Sequence, residues 1–124
     1  MPPERFFVFV VDDDASMRTS IARLLRQHGL SSKVFGSASA LFDHDDFSIA
    51  LCIIIDINLP DQSGIDLRRR LAEKGIRAPV IYMTGNDSHE NRLAAIESGC
   101  IAYLNKPFTA RSFIQAVEQA RAAV

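Results

Sequence analysis

The sequence predicts an α/β fold in which helices cover both faces of a doubly wound, five-stranded parallel sheet. Five short apolar runs alternate along the chain with segments in which apolar residues recur every three or four positions. Within the longest runs, apolar and polar residues do not alternate, which is typical of strands that are buried on both faces of a parallel sheet. The connections between these segments are short, and this favours successive strand–helix units.

The first strand–helix unit lies at the N-terminal end of the sequence. Residues 6–11 are apolar and rich in β-formers, and they predict strand one, which stops at three successive aspartates. From Ala15 onward the apolar residues recur at spacings of three and four, which predicts a helix. Either Asp14 or Ser16 can cap the start of this helix, and Gly29 is placed to end it.

The second and third units follow the same alternation. Residues 32–35 predict a short second strand, and residues 37–44 predict a short helix that opens at a serine. The unbroken apolar run at 51–55 predicts strand three, which stops at Asp56. The helix after it covers residues 64–74, where two leucines lie four positions apart and a glycine follows.

The last two units complete the alternation. Residues 80–83 predict strand four, which leads into Thr84, and residues 88–98 predict a weaker helix with two apolar residues three positions apart. Residues 102–104 predict strand five. Thr109 is placed to cap the final helix, whose inner face has the clearest helical spacing in the chain. The residues of that face are Phe113, Ala116, Val117 and Ala120.

Length and composition are those of an ordinary globular domain, so residues 1–124 are expected to form a single domain. The formal net charge of −1 lacks the basic excess of a nucleic-acid-binding domain, which argues against direct nucleic-acid binding. Because no apolar run is long enough and the N-terminus lacks a signal-peptide pattern, we expect no membrane span and a cytoplasmic location. The two cysteines, Cys52 and Cys100, form no CxxC pair and are expected to be reduced.

Polar side chains follow four of the five predicted strands. Strand one is followed by Asp12 and Asp13, strand three by Asp56, strand four by Thr84 and strand five by Lys106. In a parallel sheet the carboxyl ends of the strands lie along one edge, where ligands bind in open α/β folds. We therefore expect three carboxylates, a hydroxyl and an amine to converge at that edge.

This set of residue types suits a metal-assisted phosphoryl site. Three neighbouring carboxylates repel one another unless a cation joins them, and oxygen ligands from short acids suit the hard cation Mg²⁺. With the metal bound, one carboxylate can act as a nucleophile that forms an aspartyl phosphate. Lys106 can then neutralise phosphoryl charge, and Thr84 can donate a hydrogen bond.

The pattern resembles the receiver domain of two-component response regulators, in order and over the whole chain. The resemblance implies the flavodoxin-like (βα)₅ architecture with strand order 2-1-3-4-5. The matching stretches are Val10–Asp14 with Met17-Arg18 behind them, Ile55–Asp61 with Ser63-Gly64, Met83–Gly85, and Tyr103–Phe108.

The resemblance also implies a role for each matching acid. Asp56 corresponds to the phosphoacceptor, which receives a phosphoryl group from a phosphohistidine on a sensor kinase. Asp13 and Asp56 correspond to direct ligands of Mg²⁺, for which Mn²⁺ can substitute. Asp12 would act mostly through water, and Asn58 would offer its backbone carbonyl to the metal.

The remaining matches correspond to the parts that respond to phosphorylation. Thr84 resembles the switch hydroxyl that moves onto the phosphoryl group, and Tyr103 resembles the aromatic residue that then turns inward. Lys106 resembles the lysine that binds a phosphoryl oxygen, and its bond to Pro107 would be cis. The change would bias the surface of helix four, strand five and helix five toward a partner, an output domain or a homodimer.

The resemblance implies a signalling protein rather than an enzyme, with self-catalysed phosphorylation and dephosphorylation as its only chemistry. Its expected partner is a sensor histidine kinase or a phosphotransfer protein. A haloacid-dehalogenase-type phosphatase would need a second acid where Asn58 stands, and a flavodoxin-like FMN site would need a Ser/Thr-rich loop in place of the aspartates. No GxGxxG motif supports a dinucleotide site. An interaction module that is never phosphorylated stays open as an alternative.

Overall fold

A computed structural model describes residues 7–44 and 46–123 of the chain. Within this part the strands pair in parallel as one five-stranded sheet. The strands are β1 (Phe7–Val11), β2 (Ser31–Phe35), β3 (Ala50–Asp56), β4 (Val80–Thr84) and β5 (Ala102–Asn105). Their spatial order is β2-β1-β3-β4-β5, which confirms both the predicted fold class and the strand order implied by the resemblance.

A helix follows each strand in the described part of the chain. The helices are α1 (Ala15–Gln27), α2 (Ala38–Phe42), α3 (Gly64–Glu73), α4 (His89–Glu97) and α5 (Ala110–Ala122). None of these helices combines the length and the apolar character that crossing a membrane would require.

The core consists of two apolar layers, one on each face of the sheet. Successive strand residues point to opposite faces, so Ile54 of β3 packs on one side and Ile55 on the other. The first layer contains buried residues of α1 and α5, among them Leu25 and Phe113. The second contains buried residues of α2, α3 and α4. Because every residue of the central strand β3 is buried, its residues form an unbroken apolar run up to Asp56.

The predicted boundaries differ from the observed ones mainly at the short elements. Phe6, predicted to begin strand one, lies outside the described residues. Helix α2 ends at Phe42, two residues before the predicted end. Its N-terminus is held by Asp61, a residue of the loop after β3. The Asp61 carboxylate accepts hydrogen bonds from the backbone amides of Ala38 (3.2 Å) and Ser39 (3.0 Å). These amides lie in the first turn of the helix, where they have no intrahelical acceptor.

Helix α4 does not bury the two apolar residues, three positions apart, whose spacing predicted it. Those residues, Leu93 and Ile96, are 47% and 63% exposed, and the helix buries the small side chain of Ala95 instead. Two hydrogen bonds hold the C-terminal end of α4 against β4. The Tyr82 hydroxyl donates to Ser98 Oγ (2.8 Å), and Ser98 Oγ donates to the Ala95 carbonyl (2.8 Å). The helix therefore contacts the sheet through a narrow face and leaves apolar side chains in solvent.

The two cysteines are free thiols, as predicted. Burial raises the pKa of Cys52 in β3 to about 12, and burial also raises the pKa of the half-buried Cys100. At pH 8 only roughly one Cys52 in ten thousand would then be a reactive thiolate.

We expect the thiol reagent DTNB to modify Cys52 of the folded protein at pH 8 at least a hundredfold more slowly than in denaturant, because its sulfur is buried and protonated. The Cys100→Ser variant isolates the signal of Cys52, and absorbance follows the reaction. Equal rates with and without denaturant would show that β3 is accessible.

Candidate functional site

Three carboxylates meet at the carboxyl edge of the sheet, where β1 and β3 lie side by side. Asp12 and Asp13 follow β1, and Asp56 is the last residue of β3. One oxygen of each lies within 4.8 Å of the others. Asp12 is fully buried and Asp56 nearly so, whereas Asp13 is exposed. The cluster thus combines two desolvated carboxylates with one that faces solvent.

Lys106 reaches this cluster from the loop after β5. Its Nζ lies 2.6 Å from Asp12 Oδ2 and 3.0 Å from Asp56 Oδ2, and only 18% of its side chain is exposed. Burial lowers the pKa of Lys106, but hydrogen bonds and charges from the two carboxylates outweigh burial and raise it overall. The ammonium group therefore stays charged while it bridges the ends of β1 and β3. The Lys106–Pro107 peptide bond is cis, as the resemblance implied.

The loops after the two strands fix the direction of the buried carboxylates. Asp12 Oδ1 accepts a hydrogen bond from the Asp14 amide, and Asp56 Oδ1 accepts one from the Asn58 amide, each at 2.9 Å. In both residues the other oxygen contacts Lys106. The Arg18 guanidinium donates to the Asp12 carbonyl at 2.7 Å. Each carboxylate is thus held by its own loop through one oxygen and by the lysine through the other.

Thr84 ends β4 beside the acidic cluster and is fully buried. Its hydroxyl donates to the Asn58 side-chain oxygen at 2.6 Å and accepts a hydrogen bond from the Asn86 amide at 3.0 Å. Asn58 follows Asp56 by two residues, so its side chain links the ends of β3 and β4.

Tyr103 of β5 contacts a different group. Its hydroxyl donates to Asp87 Oδ1 at 3.1 Å, and Asp87 Oδ2 accepts from the Arg92 guanidinium at 2.6 Å. Arg92 also lies over the tyrosine ring, 5.5 Å from its centroid. The hydrogen bond from Arg92 lowers the pKa of Asp87, while burial and then the Asp87 carboxylate raise the pKa of Tyr103. The tyrosine therefore remains a protonated donor to a charged acceptor.

The donor set of the cluster fits a hard divalent cation. Asp12, Asp13 and Asp56 offer only oxygen ligands, and Lys106 balances one of their three charges, which leaves two. Oxygens on opposite sides of an octahedral Mg²⁺ are about 4.2 Å apart, close to the 4.8 Å within which these oxygens lie. Mg²⁺ keeps several waters, so a few protein ligands are enough.

The structure brings together most of the predicted site residues. Asp12, Asp13, Asp56 and Lys106 form one cluster, and Thr84 joins its edge through Asn58. Tyr103 instead contacts Asp87. Sequence reasoning missed the contacts of Asp87, Arg92 and the Asn58 side chain, because the partner of an exposed polar side chain leaves no periodic signal in the sequence.

Comparison with known proteins places the chain in a family. The family model for the response regulator receiver domain matches residues 8–118. Nodulation protein W of Bradyrhizobium diazoefficiens is 36% identical over 110 residues, which are 89% of this chain and 48% of that protein. Transcriptional regulatory protein FixJ of Azorhizobium caulinodans is 36% identical over 115 residues, which are 93% of this chain and 54% of that protein.

A solved structure shows the same fold. The crystal structure of FixJ-N matches with a TM-score of 0.85 and 28% sequence identity, and the match covers 98% of each chain. The present chain spans about half the length of the two curated relatives. Because the family model covers most of the chain and the fold is shared, this chain belongs to the receiver domain family of two-component response regulators.

Proposed function

We propose that this chain is a phosphorylation switch in which Asp56 accepts a phosphoryl group from a phosphohistidine on a sensor histidine kinase or phosphotransfer protein. The observation that carries the proposal is the Lys106 ammonium, which contacts both Asp12 and Asp56 inside the carboxylate cluster. Within this proposal, residues 1–124 act as a single receiver domain.

The sheet order supports Asp56 as the acceptor. Strand β3 lies between β1, which supplies Asp12 and Asp13, and β4, which supplies Thr84. A phosphoryl group on Asp56 would thus have the proposed metal ligands on one side and the switch hydroxyl on the other.

In the transfer the bond from phosphorus to the histidine nitrogen breaks as a bond to an Asp56 carboxylate oxygen forms. Hydrolysis by water later returns the carboxylate and inorganic phosphate.

The acidic cluster would hold Mg²⁺, or Mn²⁺ in its place. Asp13 and Asp56 would be direct ligands together with the Asn58 backbone carbonyl, and Asp12 would act through a bound water. When bound, the cation neutralises negative charge on the phosphoryl oxygens. Lys106 neutralises a further phosphoryl oxygen, because its Nζ already contacts Asp56.

The response to phosphorylation would proceed through Thr84 and Tyr103. Thr84 turns toward the phosphoryl group, Tyr103 turns inward, and the surface of α4, β5 and α5 changes its preference for partners. The exposed Leu93 and Ile96 on α4 give this surface apolar contacts for a homodimer or an output partner. The length of the curated relatives is consistent with an output region, such as a transcription-regulating one, beyond the receiver domain.

The experiment that tests this function is chemical phosphorylation followed by intact mass measurement. With acetyl phosphate and Mg²⁺, the protein should gain one phosphoryl group, and removal of Mg²⁺ should abolish the gain. The Asp56→Asn variant should gain none, because an amide oxygen is a far weaker nucleophile. The Asp66→Asn variant, altered on the exposed face of α3, should behave like the parent protein. An equal gain in Asp56→Asn would contradict the assignment, and no gain in the parent would favour an interaction module.

Mg²⁺ is expected to stabilise the protein, and Asp13→Asn should remove most of that effect. A ligand present at a hundred times its dissociation constant stabilises the folded state by about 2.7 kcal/mol. Without Mg²⁺ the variant should be more stable than the parent, because one of three mutually repelling charges is gone.

Thermal melts with and without Mg²⁺ measure both effects on the two proteins. The Asp66→Asn variant is again the matched control, since it loses one carboxylate outside the cluster. If Mg²⁺ stabilised Asp13→Asn as strongly as the parent, Asp13 would not be a ligand.

A further inference from the structure

The Thr84 hydroxyl already has two hydrogen-bond partners in this structure. It donates its single proton to the Asn58 side-chain oxygen at 2.6 Å, and its oxygen accepts from the Asn86 amide at 3.0 Å. A threonine hydroxyl has only one proton to donate. Thr84 can therefore donate to a phosphoryl group on Asp56 only after it leaves Asn58.

The second of these bonds connects Thr84 to the loop that restrains Tyr103. Asn86 is followed directly by Asp87, whose carboxylate accepts from the Tyr103 hydroxyl at 3.1 Å and from Arg92 at 2.6 Å. Departure of Thr84 removes the acceptor of the Asn86 amide, which is part of what holds the loop carrying Asp87. The side chains of Thr84 and Tyr103 are thus connected through Asn86 and Asp87, which are neighbours in one loop.

We propose that Asn58 and Asp87 are positioning residues that hold Thr84 and Tyr103 in the resting arrangement. Asn58 competes with the phosphoryl group for the Thr84 hydroxyl, and Asp87 holds Tyr103 outward until the Asn86 amide loses its acceptor. This inference rests on the proposed function, because it assumes that Asp56 is the group that becomes phosphorylated.

The charge pattern around Tyr103 adds to the restraint. Arg92 stabilises the negative charge of Asp87 and also lies over the tyrosine ring, so three groups hold one another in place. Loss of either the Asn58 or the Asp87 contact removes a hydrogen bond from the resting arrangement only. Each loss should raise the population ratio of active to resting arrangement about fivefold, the equivalent of one ordinary hydrogen bond.

The experiment measures backbone amide NMR spectra of the whole chain with and without beryllofluoride and Mg²⁺, a phosphoryl mimic. The variants are Asn58→Ala and Asp87→Ala, both at exposed positions that should tolerate substitution. The control is Asp66→Ala, which breaks an exposed ion pair between Asp66 and Arg69. This ion pair has the same 2.6 Å length as the one between Asp87 and Arg92. A thermal melt verifies that each variant is folded.

In the parent protein, beryllofluoride should move the amide signals of Thr84, Asn86 and Tyr103. Before any beryllofluoride is added, both variants should show these signals displaced part of the way along the same path, and each should bind beryllofluoride about fivefold more tightly than the parent. The displacement of the Tyr103 signal by Asn58→Ala is decisive, because Asn58 makes no described hydrogen bond to Tyr103 or Asp87. Asp66→Ala should leave signals and affinity unchanged.

Two failures can be told apart. If beryllofluoride and Mg²⁺ leave the parent spectrum unchanged, the proposed function is wrong and the positioning role falls with it. If the parent responds but the variants keep the parent's ligand-free signals and affinity, the phosphoryl site stands and the positioning role of Asn58 and Asp87 is wrong. The Arg92→Ala variant provides a second check, since loss of the guanidinium that supports Asp87 should give a smaller displacement in the same direction.

Discussion

Gly64→Ala is expected to destabilise the protein by about 2–3 kcal/mol, because α3 begins in direct contact with the end of β3. A Cβ at Gly64 would lie 2.5 Å from the Asp56 carbonyl oxygen, 2.6 Å from Ile55 Cγ2 and 3.0 Å from Ile57 Cα. Two of these three atoms belong to the backbone, so no rotamer change can relieve the clash. Either α3 or the strand that carries Asp56 has to move.

This displacement should also weaken Mg²⁺ binding by the carboxylate cluster, since Asp56 lies at the point of contact. Urea denaturation of parent and variant measures the change in unfolding free energy, and thermal melts with Mg²⁺ measure the loss of metal stabilisation. Gly85→Ala is the matched control for stability, because a Cβ there has no neighbour within 4 Å and its backbone needs no positive φ. Equal stability of the two variants would show that α3 can shift at little cost.

Lys106→Met is expected to destabilise the metal-free protein by about 3 kcal/mol at neutral pH. The substitution leaves Asp12 and Asp56 buried without the ammonium group that now contacts both. Removing one partner of a buried ion pair costs more than the pair contributes, because an unpaired charge remains in a desolvated place. In the parent protein this stabilisation should be complete at neutral pH. It should be lost only as pH rises through the raised pKa of Lys106, which exceeds the ordinary lysine value of about 10.4.

Mg²⁺ should restore part of the stability of Lys106→Met, since a divalent cation compensates the same carboxylates. Urea denaturation with and without Mg²⁺ measures both the loss and the recovery. Lys74→Met is the matched control, because Lys74 is an exposed lysine that donates to the Phe42 carbonyl and lies over the rings of Phe42 and Phe47. A similar loss in both variants, or no recovery with Mg²⁺ in Lys106→Met, would contradict an electrostatic role for Lys106 in this cluster.

The fold and the composition of the site were predictable from the sequence because both depend on strong, repetitive signals. Strand β3 is buried on both faces, and this requires an unbroken apolar run that can be recognised without coordinates. In a parallel sheet all carboxyl ends lie at one edge. The convergence of Lys106 with Asp12, 94 residues away in sequence, follows from this topology.

The partners of the loop side chains were not predictable in this way. Asp61 supports α2 across more than twenty residues. In α4, the two apolar residues whose spacing predicted the helix are exposed, while Ala95 is buried. A polar side chain in a loop has several partners of similar energy within reach. Which one it binds depends on distances of a few tenths of an ångström, and no residue pattern encodes them.

The sequence by itself therefore determined the doubly wound sheet, the family resemblance, and the acids, hydroxyl and lysine that share one edge of the sheet. Burial imposes the unbroken apolar runs, and the parallel direction of the strands places their polar ends together, so both features can be recognised from the sequence. Only the tertiary structure decided that the Thr84 hydroxyl is bound by Asn58 and that Tyr103 is held by Asp87 and Arg92. These contacts join loop residues to residues of β4, β5 and α4, and the distances between those elements are set by the packing of the whole domain.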